Sequence, residues 1–124
     1  MQLMMNKVNE DDRGAIYSIP LDADEDLAVL VTKKGYARGG HSHPNTLEFF
    51  VVVKGMVNYI VDDKETVYVE GNSGHILGNK PHILLSLEDS ILIHWGAKKT
   101  VTDKKYREIV DKINLKKQLE ELNG

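Results

Sequence analysis

The sequence predicts a mostly β protein: one small antiparallel β-barrel or two-sheet sandwich, followed by a C-terminal α-helical segment. Three observations predict it. Up to residue 95 the chain is a series of short β-prone runs, among them residues 27–32, 47–53, 56–61 and 90–95. Clusters rich in Gly, Asp, Asn and Pro punctuate these runs at short intervals. Only after residue 102 do apolar residues take helical spacing, at Tyr106, Ile109, Val110 and Ile113. Strands in series with no helix between them argue for antiparallel pairing.

The elements follow in order. Residues 1–14 are polar and read as an N-terminal arm, with a turn at residues 11–14. Residues 15–19 form a short strand ended by Pro20, and the acidic residues 21–26 form a loop. Residues 27–32 are a strong strand, and Lys33, Lys34 and Gly35 turn the chain. In residues 36–43 the pair Gly39-Gly40 reads as a β-bulge or as a point of close approach. Pro44-Asn45-Thr46 is a turn. Along residues 47–53, Glu48, Phe50 and Val52 share one face, and Leu47, Phe49, Val51 and Val53 share the other. Asp62-Asp63-Lys64 makes a tight hairpin after residues 56–61. Residues 65–70, 75–78 and 82–87 are shorter strands, and residues 90–95 are the last. The barrel is expected over residues 15–98. A helix or helix pair is expected over residues 102–122, with Thr102 as N-cap and Leu115, Leu119 and Leu122 continuing on a shifted face.

At 124 residues the chain is one domain. Its formal charge of −3 and few aromatics exclude the basic field of a nucleic-acid binder. It has no cysteine, so any metal must be held by nitrogen and oxygen, and thiol nucleophiles are excluded. No apolar run approaches the ~20 residues of a membrane helix, and the N-terminus lacks the pattern of a signal peptide. The expectation is a cytoplasmic protein with no membrane partner.

Residues 35–55 concentrate the chemistry. His41 and His43 lie two apart, so on a strand they face the same way. Glu48 has the opposite parity, but the turn at residues 44–46 resets it and lets the carboxylate face the same pocket. Two imidazoles and a carboxylate suit a first-row divalent metal.

The spacing Gly35-x5-His41-x-His43-x4-Glu48-x6-Gly55 resembles the first motif of the cupin superfamily, with five fixed residues matched over 21 positions. The similarity extends over about residues 11–95. It implies a small jelly-roll-like β-barrel (a double-stranded β-helix) holding one divalent metal, with iron, manganese, nickel, copper and zinc not distinguished. A second motif normally supplies a further histidine. Its counterpart here contains Gly78 and His82, with Ile76 where the motif has proline. The resemblance therefore implies a ligand set of His41, His43, Glu48 and His82, with His75 and His94 as rivals for the fourth place.

Related cupins include dioxygenases, isomerases, epimerases and plain binding modules. The first reading is thus a metal-binding cupin that binds or acts on a small polar molecule. The runner-up is a metal-independent sugar-nucleotide ketoisomerase or epimerase with His41 and His43 as acid and base, and Arg38 or Lys80 on a diphosphate. A third is a non-catalytic ligand-binding cupin. The pocket is expected to be lined by Arg38, Phe50, Val52, Tyr59, Leu84, Leu92 and His94, with Trp95 packing at the barrel end. Both faces of residues 47–53 are apolar apart from Glu48, so a homodimer is expected to cover the outward one.

Overall fold

A computed structural model describes residues 5–22 and 25–124. In chain order its elements are β1 (Asn6–Asp11), β2 (Gly14–Pro20), β3 (Asp26–Thr32), β4 (Ala37–Ser42), β5 (Glu48–Lys54), β6 (Met56–Val61), β7 (Lys64–Val69), β8 (Ser73–Ile76), β9 (His82–Ser86), β10 (Ser90–Trp95), β11 (Val101–Thr102) and α1 (Lys104–Asn123). The acidic loop expected at residues 21–26 lies partly outside the described residues.

The strands form two antiparallel sheets. One has the order β1-β2-β3-β10-β5-β8 and the other β11-β4-β9-β6-β7. They face each other as a jelly-roll sandwich and do not join into one closed ring. Between them lies a core of Leu30, Phe50, Val52, Val57, Tyr59, Ile76, Leu84 and Leu92. The inner face of β5 is Glu48, Phe50 and Val52, all buried, while Phe49 and Val53 face outward. That alternation follows from the period-two geometry of a strand.

Two local features depart from the sequence expectation. The polar residues Asn6–Asp11, read as part of an arm, pair with β2 as an exposed edge strand. Backbone ladder bonds made by an edge hairpin need no apolar face, so composition gave no warning. The C-terminal segment, expected as a helix or helix pair, is one helix of 20 residues. Its N-cap is Asp103 rather than Thr102, because the Asp103 side chain accepts the Tyr106 N–H at 2.9 Å while Thr102 is spent in β11.

Helix α1 packs on the outer face of the second sheet, where Tyr106 and Val110 meet Ala37 and Ile83. Asn114 lays its amide against β4, accepting the Ala37 N–H at 2.7 Å and donating to the Ala37 carbonyl at 2.9 Å. It thereby mimics a neighbouring strand where β11 is too short to cover the edge. The register of β4 against β9 shifts between Gly39 and His41, so the expected bulge is present. A Cβ on Gly40 would lie 2.7 Å from the Arg107 Cα, so the close approach at this glycine is that of the helix. No described helix is long and apolar enough to cross a membrane.

Candidate functional site

The site forms where β4, β5, β9 and β10 converge at one end of the sandwich. His41 lies near the end of β4, directly across from His82 at the start of β9. His43 follows just after β4, and the turn containing Asn45 (φ 57°) brings the chain round to Glu48, the first residue of β5. The three imidazole rings stand 4.7–5.1 Å apart, centroid to centroid. A ligand nitrogen from each lies within 4.8 Å of the others. The bulge after Gly39 sets the phase in which His41 meets this cluster.

Glu48 lies against the histidines. Its Oε2 is 2.8 Å from His43 Nε2, and its Oε1 is 3.8 Å from His82 Nε2. Both imidazoles are held from behind. His43 Nδ1–H donates to the Lys99 carbonyl at 2.7 Å, and His82 Nδ1–H donates to the Lys80 carbonyl at 3.1 Å. Those bonds assign the tautomers and leave each Nε2 bare toward the carboxylate. His43 Nε2, although close to Glu48, lies out of hydrogen-bonding alignment and is buried without a partner. A buried nitrogen lone pair beside a buried carboxylate is a donor set that suits a cation.

His94 has a different role from a rival ligand. Tyr59 O–H donates to His94 Nε2 at 2.8 Å, and His94 Nδ1–H donates to Glu48 Oε1 at 3.0 Å. Both ring nitrogens are thereby used, and the pair fixes the carboxylate from below. His75 is exposed on β8, beside the Phe49 ring, and takes no part in the cluster.

Burial pushes the His41 imidazole down to about 4, helped by His82 and His43 beside it. Burial likewise lowers His82. At His43 burial also works downward, but the Glu48 carboxylate and the Lys99 carbonyl reverse it and the value rises. Burial would raise the Glu48 carboxyl; the His43 imidazole beside it and the hydrogen bond from His94 instead hold it well below the usual carboxylate range. Burial, with Glu48 nearby, drives the Tyr59 phenol well up.

These shifts predict acid sensitivity of the metal-free protein. Between 6.5, the ordinary value for His41, and its folded value of about 4, the unfolded chain binds more protons, so stability falls as pH falls through that window. His82 acts in the same direction, and His43 offsets part of the loss. The depressed Glu48 adds a further loss once pH drops below the ordinary carboxylate range. Urea denaturation of the metal-free protein is expected to show a lower midpoint near pH 4.5 than at pH 7; an unchanged or higher midpoint would contradict this.

A cavity of about 680 Å³ adjoins the cluster. Of the residues expected to line it, Arg38, Tyr59, Leu84 and His94 do so, together with His41, His43, Glu48 and His82. Phe50, Val52 and Leu92 instead sit in the packed core, at most 1% exposed. They share the inward face but lie at a level where the sheets touch. Trp95 both borders the cavity and stacks on Phe49. The Lys99 carbonyl and the hydroxyl of Thr100, 3.4 Å from His43 Nδ1, escaped sequence reasoning because a loop backbone carries no residue signature.

A search of curated proteins finds no match. Among solved structures, the chain is similar to the capsular polysaccharide assembling protein CapF from Staphylococcus aureus, at 26% identity and a TM-score of 0.64 over 82% of this chain and 34% of that one. It thus spans about a third of CapF. It also resembles KdgF from Halomonas sp., at 14% identity, a TM-score of 0.66 and coverage of 76% and 86%. A third likeness is an RmlC-like cupin from Shewanella frigidimarina, at 16% identity, a TM-score of 0.63 and coverage of 79% and 86%. The last two likenesses concern the fold alone. A family model described as "Cupin domain" matches residues 28–93, more than half of the chain and all of the cluster just described, and the protein belongs to that family.

Proposed function

We propose that His41, His43, His82 and Glu48 hold one divalent transition metal, and that the protein binds or acts on a small polar molecule in the adjoining cavity. The observation that carries this is the orientation of His43 and His82. Each donates Nδ1–H to a backbone carbonyl and turns a bare Nε2 toward Glu48, the support that metal-bound histidines usually receive. Three nitrogens and one oxygen suit iron, manganese, nickel, copper or zinc.

When bound, such an ion supplies Lewis acidity toward an oxygen of the bound molecule. The chain's own groups do the rest. The Tyr59–His94 pair orients the carboxylate, and Leu84 and Leu30 give the cavity an apolar wall. CapF, of which this chain spans about a third, has been solved with the inhibitor 3-isopropenyl-tropolone. The acid–base reading without metal is weaker. With its value near 4, His41 stays neutral at working pH, and the Nδ1–H of His43 is taken by the Lys99 carbonyl.

Titration of metal-free protein with Mn(II), Co(II) or Zn(II) by calorimetry is expected to give one site per chain. Binding should weaken as pH falls, because the imidazoles must be deprotonated. Absence of binding by all of these ions would remove the reading.

The partner reading is a homodimer through the outward face of β5. Leu47, Phe49 and Val53 are 41%, 37% and 44% exposed there, beside the half-buried Ile91, Ile93 and Trp95. Contiguous apolar surface of this kind marks an interaction site. Light scattering is expected to give twice the 14.0 kDa chain mass, and Phe49→Asp is expected to halve it. A monomer in the wild type would contradict the dimer.

A further inference from the structure

Arg38 is the unusual residue in the cavity wall. It is 5% exposed and borders the same cavity as the histidine cluster. Its Nε–H donates to Thr32 Oγ1 at 2.8 Å, and an Nη2–H donates to the Val31 carbonyl at 3.1 Å. Those two bonds fix the plane of the guanidinium. Its Nη1 donors have no acceptor among the described residues, and no described carboxylate bonds to it. Asp11, whose charge reaches Arg38, is gripped at both oxygens by Arg13, at 2.6–3.1 Å. Burial, with Arg13 nearby, brings Arg38 down to about 10, so it is still charged at neutral pH. A buried cation left without a counter-charge costs several kcal/mol. An oriented fork with spare donors is built for a planar oxyanion.

Arg38 and His41 are three residues apart along β4, which at the rise of a strand puts their Cα atoms on the order of 10 Å apart. Between them the wall carries Leu84, paired directly with Arg38, and across the cavity Ile16 and Leu30. The cavity is therefore bounded by a cation-seeking cluster and a fixed guanidinium, with Leu84, Ile16 and Leu30 in its apolar wall and Ser18, Glu25 and Asp26 in its polar wall.

We infer that the ligand is a small organic acid whose carboxylate is taken by Arg38 while chelating oxygens at its other end meet the metal held by the histidines. The inference rests on the metal reading of the cluster and adds the class of molecule. Arg38 sets specificity for the anionic end.

Two probes separate the ends. Succinic monohydroxamate and butyrohydroxamate share a chelating head, and only the first carries a distal carboxylate. Calorimetry on Zn(II)-loaded wild type is expected to show the succinic compound binding roughly 10- to 100-fold more tightly, the range of a charge-assisted hydrogen bond. In Arg38→Gln that gap is expected to vanish, with zinc stoichiometry and butyrohydroxamate affinity unchanged. Arg38→Lys, which keeps the charge and loses the fork, is expected to retain part of it and covers the case in which the glutamine variant fails to fold. Equal affinities in the wild type, no binding of either probe, or a gap that survives in Arg38→Gln would overturn the inference. If the protein takes up no zinc but still binds succinate in an Arg38-dependent way, the anion site stands and the metal reading falls. Zinc uptake without a gap has the opposite meaning.

Discussion

In His41→Ala, metal-dependent stabilisation is expected to disappear. A ligand that binds only the folded state at a hundredfold excess over its Kd adds about 2.7 kcal/mol to the wild type. For a domain of this size that corresponds to a rise in Tm of roughly 10 °C. His41 belongs to the three-histidine cluster, faces His82 across the β4–β9 ladder and is neutral by virtue of its burial, so its nitrogen is available to a cation without losing a proton. Its removal takes away one of four donors. His75→Ala should keep the full shift, because His75 is exposed on β8 and outside the cluster. Thermal melts of both variants with and without Zn(II) make the comparison. Equal shifts would refute the assignment of His41.

A large loss of stability is expected from Gly55→Ala. Gly55 links β5 to β6 with φ +88°, a region that a side chain enters only at about 1–2 kcal/mol. A Cβ there would also collide with the Asp89 carbonyl oxygen and sit 3.0 Å from the Ser90 Cα. Both neighbours are backbone at the start of β10, the strand that carries Leu92 into the core and His94 to Glu48. Relief therefore requires moving a central strand, and a loss of about 3 kcal/mol or more follows. Gly71→Ala is the control. Its φ is +89°, but a Cβ would meet nothing within 4 Å, so only the conformational cost of about 1–2 kcal/mol applies. Urea denaturation should show a clear difference between the two variants; equal midpoints would contradict the steric argument.

The reach of the sequence is clearest at Glu48. Parity alone put it on the wrong face, and the turn chemistry of residues 44–46 corrected this, because a turn resets the alternation that a strand enforces. The fold class was legible for the same reason: period two and turn residues are local properties. Depth is not local. Phe50, Val52 and Leu92 share an inward face with Glu48 and His94, yet only the latter pair reach the cavity, since distance along the sandwich axis depends on how the two sheets pack. His94 was legible as inward but not as spent on Tyr59 and Glu48, 35 and 46 residues away in sequence. The Lys99 and Lys80 carbonyls that set the tautomers of His43 and His82 left no trace in residue type at all. At β1 the failure ran the other way: its ladder depends on backbone groups, which polar residues supply as well as apolar ones.

The most direct test of the metal reading is anomalous diffraction from crystals of the zinc-loaded protein, recorded at the zinc absorption edge. The account predicts a single strong peak per chain among the nitrogens of His41, His43 and His82 and the carboxylate of Glu48, at ~2.0–2.2 Å from each. A peak elsewhere, or none in protein that is fully loaded by elemental analysis, would contradict it.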